Sequence, residues 1–509
     1  MPFKRFEALV PAFPPAEPSP LPRGFFAFLW ENTRGSRGLL LILTVLTAFI
    51  GGFEAFMFSI MAHVVDLLAK VPPAELWARE GGKLMGLMGL LVISVLVSIC
   101  WALVKYQALF ANFPMRMRWI FHRLMLGQSM SFYQDEFAGR IATKVMQTSL
   151  AVRDTWFLFA DILTYVLVYF ITIVAVVGSF DLRMMTPFGV WLVLYALACR
   201  FFVPRLAQVA KDQADTRSMM TGRITDAYTN IATVKLFSHS QREAGFARDA
   251  MDEFLQTAYR QGRLVTSFES LNQTLNMLLV SGTTGMMLWL WTQGQVGVGA
   301  VAAATAMALR LSGMSHWVMW ELASLFEHVG TVQDGIAMLS KPTTVNDGQG
   351  AHELKVPHGE VRFEHVHFSY GGTRKVIDDL DLVIRPGEKI GLVGRSGAGK
   401  STVVNLLLRL YDVQSGRILI DGQDIAGATQ DSLRRQVGMV TQDTSLLHRS
   451  VRDNILYGRP DAGDADMVRA AERAEAHDFI VGLTDPKDRK GYDAHVGERG
   501  VKLSGGQRQ

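Results

Sequence analysis

Six stretches of this sequence are long and apolar enough to cross a lipid bilayer as helices, and few charged residues fall inside them. A helix needs about 20 residues to span the hydrocarbon layer, which is about 30 Å thick. The sequence therefore predicts a membrane domain of six helices, at residues 39–65, 84–111, 155–179, 184–204, 271–292 and 298–325.

Lysine and arginine are concentrated in two connections between these stretches, at 112–154 and 205–270. Basic residues favour the cytoplasmic side of a membrane. The distribution predicts that both connections, both termini and the soluble C-terminal part are cytoplasmic. A net charge of +4 over 509 residues is too small to indicate a partner nucleic acid.

The two basic connections keep the spacing of apolar residues that is typical of helices. They predict helical hairpins that reach up to about 50 Å beyond the membrane. We expect their turns to contact the soluble domain, first through residues 132–136 and 139–141, and again near residues 218–228. A plain coiled-coil stalk is the alternative interpretation.

The first 37 residues are rich in proline and lack the continuous apolar stretch of a secretory signal. Aromatic residues at 25–30 predict a short amphipathic helix lying on the membrane surface. A disordered tail over residues 1–20 is the alternative. The two cysteines, Cys100 and Cys199, lie in apolar segments and predict no disulfide framework.

The soluble part contains the string Gly-Arg-Ser-Gly-Ala-Gly-Lys-Ser at 394–401. It follows an apolar run at 389–393, predicted to be a buried strand, and precedes a predicted helix at 401–410, which is the context that a phosphate-binding loop requires. Glycines let backbone amides approach phosphates, Lys400 places a positive charge at the β- and γ-phosphates, and Ser401 offers a hydroxyl to Mg²⁺. The predicted nucleotide contacts are Gly394, Arg395, Ser396, Gly397, Ala398, Gly399, Lys400, Ser401 and Thr402.

A second motif near the end of the sequence consists of Leu503, Ser504, Gly505, Gly506 and Gln507. With the phosphate-binding loop and the apolar stretches, it resembles the ATP-binding cassette (ABC) exporters of the half-transporter type, over nearly the whole chain. The resemblance implies an all-α membrane domain of six helices followed by an α/β P-loop ATPase domain, in the inner membrane of a bacterium. The expected divisions are an N-terminal cytoplasmic segment at 1–37, the membrane domain at 38–325, a linker at 326–358 and a partial nucleotide-binding domain at 359–509.

The same resemblance implies roles for residues outside the two motifs. Tyr370 matches the aromatic residue that stacks on adenine, with a core aromatic at the end of a strand as the alternative. Gln442 matches the glutamine that contacts Mg²⁺ and the γ-phosphate, with a surface amide as the alternative. The segment 496–500 is similar to one that exporters carry just before the second motif, and it favours export.

In ABC exporters the second motif completes the ATP site of the opposite subunit, so a chain with one copy of each motif is expected to act as a dimer with two ATP molecules. The partner is a second copy of the chain or a paralogous half-transporter. The family also has an Asp-Glu pair and a switch histidine after the second motif. These lie outside the 509 residues, so no catalytic residue is assigned beyond a supporting Gln442, and we expect a truncated domain that does not sustain ATP turnover alone.

Charged residues inside the predicted membrane helices are candidates for substrate contact, because a charge at mid-membrane is costly and usually faces a cavity or a partner. They are Glu54, Arg310, His316 and Glu321, with Asp161 near the start of the third stretch. Glu54 and Arg310 either pair to fix packing or form a polar patch that meets substrate. Trp317 and Trp320 either line an apolar cavity or face lipid.

These observations predict an ATP-driven exporter of an amphiphilic or hydrophobic substrate, such as a lipid, a glycolipid or a drug. ATP and Mg²⁺ are the expected cofactors, and membrane lipids are further expected contacts. A non-hydrolysing, ATP-binding regulatory or channel-like subunit is the alternative, and the presence of Lys400, Ser401 and Gln442 argues against it.

Overall fold

The computed structural model describes residues 2–15, 17, 19–136, 138–237, 239–371, 375–441, 446–497, 501 and 503–509. The chain divides into two compact units, Met1–Thr344 and Val345–Gln509. The helices of the first unit are α1 (Pro2–Glu7), α2 (Phe25–Asn32), α3 (Arg37–Lys70), α4 (Leu76–Ala102), α5 (Asn112–Leu126), α6 (Met130–Asp135), α7 (Ala138–Phe157), α8 (Thr164–Phe180), α9 (Met185–Thr229), α10 (Ile231–Leu236), α11 (Ser240–Thr292) and α12 (Val298–Leu339). Two π-helical turns, π1 (Leu103–Leu109) and π2 (Leu158–Leu163), follow α4 and α7.

Within the described residues, five helical segments are long and apolar enough to cross a membrane, whereas the sequence predicts six. They are Arg37–Ala69, Pro73–Leu126, Ala138–Phe180, Leu182–Thr229 and Val298–Leu339. The predicted stretch at 271–292 forms the end of α11 and is less apolar, because Asn276 and the small or polar residues at 281–285 interrupt it. Its apolar side chains, including Leu279 and Met287, are nonetheless buried in the core of the helical unit.

The two basic connections are helical, as predicted. Helix α6 forms the turn of the first hairpin, between α5 and α7, and includes much of the segment expected at that turn. In the second hairpin α9 continues to Thr229, so the turn lies around α10, after the segment 218–228 that was expected at the turn. The contact of that segment with the soluble domain stays a prediction. Methionine, arginine and alanine, which favour helices, are among the residues of that segment.

Helix α12 continues to Leu339, through the first part of the predicted linker at 326–358. Its last turns are buried, with Val332 and Leu339 in contact with the core around α2, α5 and α7. The helix continues because this part of the sequence retains apolar side chains at helical spacing. The boundary between the two units follows Thr344.

The proline-rich N-terminus lies along α5, which differs from the disordered tail considered as an alternative. Proline has no amide hydrogen, and an extended proline-rich chain leaves its carbonyl groups free to accept hydrogen bonds. Four such bonds hold it at 2.6–3.3 Å, from Asn112 to Glu7, Arg116 to Pro11, Trp119 to Pro14 and Arg123 to Pro15. Helix α2 follows, as predicted, and its Phe26 is 80% exposed. The position of this helix at the membrane surface stays a prediction.

The second unit contains a four-stranded antiparallel sheet in the order β2-β1-β3-β4. Alternating apolar residues form its strands and bury one face, with Phe363 and Ile418 in the core. The strands are β1 (Val361–Phe368), β2 (Ile377–Ile384), β3 (Ser415–Ile420) and β4 (Gln423–Asp424). The helices are α13 (Lys400–Leu407), α14 (Gln430–Gln436), α15 (Val451–Ile455), α16 (Asp464–Arg473), α17 (His477–Val481) and α18 (Gly505–Arg508).

The prediction of a buried strand at 389–393 is wrong. These residues form no strand, and Val393 is 97% exposed. A strand needs a neighbour to pair with its backbone, and within the described residues no strand pairs with this run. The helix that follows the phosphate-binding loop is present and begins at Lys400.

Candidate nucleotide site and membrane cavity

The loop at 394–401 depends on two glycines with left-handed backbone conformations. Gly397 has φ +82° and Gly399 has φ +87°, values that residues with a side chain rarely adopt. A Cβ at Gly399 would lie 2.8 Å from Cδ1 of Ile377 and 3.2 Å from the carbonyl oxygen of Val376. The loop therefore packs closely against the start of β2, and it is exposed on its other side.

Lys400 begins α13, and its side chain folds back over the loop. Its ammonium group donates hydrogen bonds to the carbonyl oxygens of Gly394 at 2.8 Å and of Arg395 at 2.9 Å. The hydroxyl-bearing Ser401 is exposed, whereas Thr402 is buried. Glycine amides, one ammonium group and an exposed hydroxyl at the start of a helix are a donor set that fits a polyphosphate and Mg²⁺.

Tyr370 lies beside this helix. Its hydroxyl donates to Oγ1 of Thr402 at 3.2 Å, and its ring meets Phe368 and Tyr411 edge to face, with centroids 4.8 and 5.1 Å away. The side chain is 44% exposed, so it is not the core aromatic considered as the alternative. The exposed part of this ring is available to a ligand.

The second motif begins the short helix α18. Ser504 caps this helix by accepting a hydrogen bond from the amide of Gln507, whose side chain in turn accepts one from the amide of Ser504. This reciprocal capping is the reason for a serine followed three residues later by glutamine. Gly505 and Gly506 are exposed. The predicted Gln442 and most of the segment 496–500 lie outside the described residues.

In the membrane unit, Glu54 and Arg310 are in contact. The guanidinium group of Arg310 donates to Oε1 of Glu54 at 2.6 Å, and the hydroxyl of Tyr165 donates to Oε2 at 2.6 Å. His316 contacts Glu269, with Nδ1 and Oε2 2.7 Å apart. These contacts join α3, α8, α11 and α12, and each involves groups accessible to solvent.

A second ion pair was not found from the sequence. The ammonium group of Lys105 on π1 lies 2.6 Å from Oδ2 of Asp161 on π2. Oδ1 of Asp161 accepts from the hydroxyl of Thr47 at 2.6 Å and from the indole of Trp101 at 3.0 Å. The signal was available, because Lys105 is a lone cation in the second apolar stretch and Asp161 a lone anion in the third.

This ion pair lies in the wall of a cavity of about 460 Å³. Ligand sites commonly have volumes of about 300–1,000 Å³. The lining residues are Thr47, Ile50, Ser98, Trp101, Lys105, Asp161, Ile162, Tyr165, Trp317 and Glu321. A smaller cavity of about 220 Å³ shares Ile50 and Ser98 and contains Glu54. Four predicted candidates therefore lie in cavity walls, namely Glu54, Asp161, Trp317 and Glu321. Arg310, His316 and Trp320 do not line either cavity.

A helical membrane unit joined to a phosphate-binding ATPase unit defines the class of ATP-driven membrane transporters. Residues 40–313 match the family described as ABC transporter transmembrane region, and residues 377–509 match the family described as ABC transporter. The chain belongs to the ABC transporter family. One membrane region and one ATPase domain in a single chain are the arrangement of a half-transporter exporter, as the sequence predicted.

Similar proteins and a similar solved structure support this assignment to the ABC transporter family. An "Uncharacterized ABC transporter ATP-binding protein" of Haemophilus influenzae is 54% identical over the whole of this chain and 83% of its own length. ATP-binding cassette sub-family B member 6 of Homo sapiens is 35% identical over 56% of this chain and 34% of its own. A bacterial Atm1-family ABC exporter, solved with ATP bound, has a TM-score of 0.74 at 25% identity and covers 95% of this chain and 82% of its own.

Proposed function

We propose that this ABC exporter uses ATP to move an amphiphilic or hydrophobic substrate out of the cytoplasm, across the inner membrane of a bacterium. The proposal rests on two features found in one chain. The first is the glycine-rich loop at 394–401, over which the Lys400 side chain folds. The second is a cavity in the membrane unit with both apolar and charged walls. A lipid, a glycolipid and a hydrophobic drug all have such mixed chemistry.

In the proposed cycle, the loop amides and Lys400 hold the phosphates of ATP. Lys400 exchanges the carbonyl oxygens of Gly394 and Arg395 for phosphate oxygens, which are stronger acceptors. The ring of Tyr370 stacks on the adenine, and Ser401 with Gln442 holds Mg²⁺. Hydrolysis of bound ATP supplies the free energy for the transport cycle.

The proposed working unit is a dimer, formed by a second copy of the chain or by a paralogous half-transporter. Residues 503–507 of each subunit complete the ATP site on the loop of the other. This arrangement explains why exposed glycines at 505 and 506 follow a helix-capping serine, since they leave the backbone amides accessible to a neighbouring ligand.

Transport in lipid vesicles by a full-length protein, which also carries the Asp-Glu pair and the switch histidine expected of the family, tests the proposal. We expect ATP-dependent movement of a labelled lipid or a hydrophobic dye, and loss of that movement in Lys400→Met, which keeps the length of the side chain but removes its charge. Removing a charge-assisted contact costs about 1.5–3 kcal/mol, so nucleotide affinity should fall about 10- to 150-fold. ATP binding without hydrolysis or movement would instead favour the regulatory or channel-like alternative.

A further inference from the structure

The charges in the wall of the larger cavity do not cancel. Asp161 accepts hydrogen bonds from three donors, and one of these is the ammonium group of Lys105, so this pair is neutral and has satisfied partners. The other ionisable carboxylate in the lining is Glu321. The cavity therefore carries a net negative charge when Glu321 is ionised.

Glu321 lies half-buried on α12, at the cavity wall. In the part of the chain that the structure describes, its carboxylate makes no hydrogen bond and has no cation within ion-pair distance; Lys105 and His328 act on it only through space. An uncompensated charge inside a membrane protein is costly and usually indicates a substrate or ion pathway. The missing counter-charge is the feature that requires an explanation.

The walls around Glu321 are aromatic. Trp317 lies four residues earlier on α12, hence on the same face of the helix, and its ring meets Tyr165 edge to face at 6.5 Å. Trp101 is also in the lining. The faces of indole and phenol rings attract cations, and this attraction strengthens where water is excluded.

We infer that this cavity binds a lipophilic organic cation, with Glu321 as its counter-ion and Trp317 and Tyr165 as aromatic walls. The inference rests on the proposed export function and names the charge of its substrate. A bare metal ion fits less well, because Mg²⁺ and Ca²⁺ take six or more oxygen ligands and the lining is largely apolar. An organic anion fits less well because Lys105 is already paired with Asp161.

Equilibrium binding of tetraphenylphosphonium to the purified transporter, without nucleotide, tests this inference. Tetraphenylborate is the matched probe, since it has the same shape and the opposite charge. We expect the cation to bind and the anion to fail. Glu321→Gln should weaken binding of the cation at least tenfold, while Glu321→Asp, which keeps the charge, should retain most of it.

Glu327→Gln is the control variant, because Glu327 is an exposed glutamate on the same helix and outside the cavity lining. It should bind the cation as the unmodified protein does. Equal binding of the two probes, or unchanged binding in Glu321→Gln, would overturn the inference. Because binding is measured without ATP, such a failure is distinct from a failure of the export proposal, which is tested by ATP-driven movement.

The bound group could belong to a lipid headgroup or to a free amphiphilic cation. To distinguish them, tetraphenylphosphonium binding is measured with the transporter in nanodiscs of phosphatidylglycerol alone and in nanodiscs that also contain phosphatidylethanolamine. Competition by phosphatidylethanolamine assigns the site to an amine lipid headgroup, and its absence assigns the site to a free amphiphilic cation. Both results support recognition of a positively charged group by the cavity. Absence of tetraphenylphosphonium binding in phosphatidylglycerol alone contradicts it.

Discussion

The hydroxyl of Tyr370 donates a hydrogen bond to Oγ1 of Thr402 at 3.2 Å, which ties the predicted adenine-stacking ring to the helix that begins at the phosphate-binding loop. The distance between the ring and the phosphate cradle is thereby fixed by a polar contact as well as by packing against Phe368 and Tyr411. A ligand with an aromatic base and a polyphosphate fits such a pair of anchors.

Replacing Tyr370 with leucine is expected to weaken ATP binding, because the stacking surface is lost. Stacking of a base on an aromatic side chain is worth about 1–3 kcal/mol, which corresponds to about 5- to 150-fold in affinity. Titration with a fluorescent ATP analogue measures the effect. Tyr370→Phe keeps the ring and should stay close to the unmodified protein. Equal loss in both variants would assign the effect to the hydroxyl that contacts Thr402 and not to stacking of the ring.

In a full-length protein with the Asp-Glu pair and the switch histidine of the family, Ser504→Ala is expected to abolish ATP turnover while leaving nucleotide binding at the phosphate-binding loop largely intact. In the proposed dimer Ser504 acts on the ATP of the opposite subunit, whereas Lys400 holds the ATP of its own. Ser504→Thr retains a hydroxyl that can cap α18 and should keep much of the turnover. Parallel loss of binding and turnover in Ser504→Ala contradicts this division of roles.

Exchanging the charges of Glu54 and Arg310 tests whether their ion pair holds the membrane helices together. Glu54→Arg or Arg310→Glu alone places like charges side by side and should lower the thermal midpoint of the transporter. The double exchange should restore the midpoint, because the contact at 2.6 Å can form in reverse.

Two readouts separate the two interpretations of this pair. If it only fixes packing, the double exchange restores transport together with stability. If it meets substrate, stability returns and transport does not. A double variant as unstable as the single ones would show that the pair does not stabilise the fold.

The stability of the soluble unit should depend on pH through Asp421. Burial acts to raise its pKa, but hydrogen bonds from the amides of Gly359, His358 and Glu360 hold that pKa below its usual value. Because the pKa of Asp421 is lower in the folded protein, its carboxylate stabilises the fold at pH values above the pKa of the unfolded state, about 3.9. That stabilisation is lost as the pH falls through the pKa of the folded state.

Asp421→Asn should therefore lower the thermal midpoint at neutral pH, and the difference from the unmodified protein should shrink as the pH falls below about 4. Asparagine tolerates the positive φ of this position, 47°, so backbone strain does not confuse the comparison. Asp461→Asn, on an exposed turn, is the control and should change little. A difference that is independent of pH would contradict the role given to the Asp421 carboxylate.

Local sequence patterns were sufficient for the phosphate-binding loop and its helix, for the strands β1 and β2, and for most of the membrane helices. In each case the pattern of glycines or of apolar residues acts within one segment. The contact between Glu54 and Arg310 could also be predicted from the sequence, because opposite charges in apolar segments tend to pair.

Features that depend on several segments were not predictable from sequence patterns. The apolar run at 389–393 was predicted to be buried, yet its burial depends on strands that pair with it from elsewhere in the sheet. Lys105 and Asp161 lie on two π-helical turns. A periodicity of 3.6 residues does not reveal such turns, although the two lone opposite charges were a signal that the side chains pair. The path of the N-terminus along α5 depends on donors about a hundred residues away.

The most direct test of the central claim is a disulfide between Ser396→Cys in the phosphate-binding loop and Gly505→Cys in the second motif. Cys100 and Cys199 are first replaced by serine, so that only the introduced thiols react. We predict a crosslink that joins two chains, forms in the presence of ATP and is absent when Lys400→Met is added. A crosslink within one chain, or one that forms equally without ATP, would contradict the claim that two subunits hold each nucleotide between them.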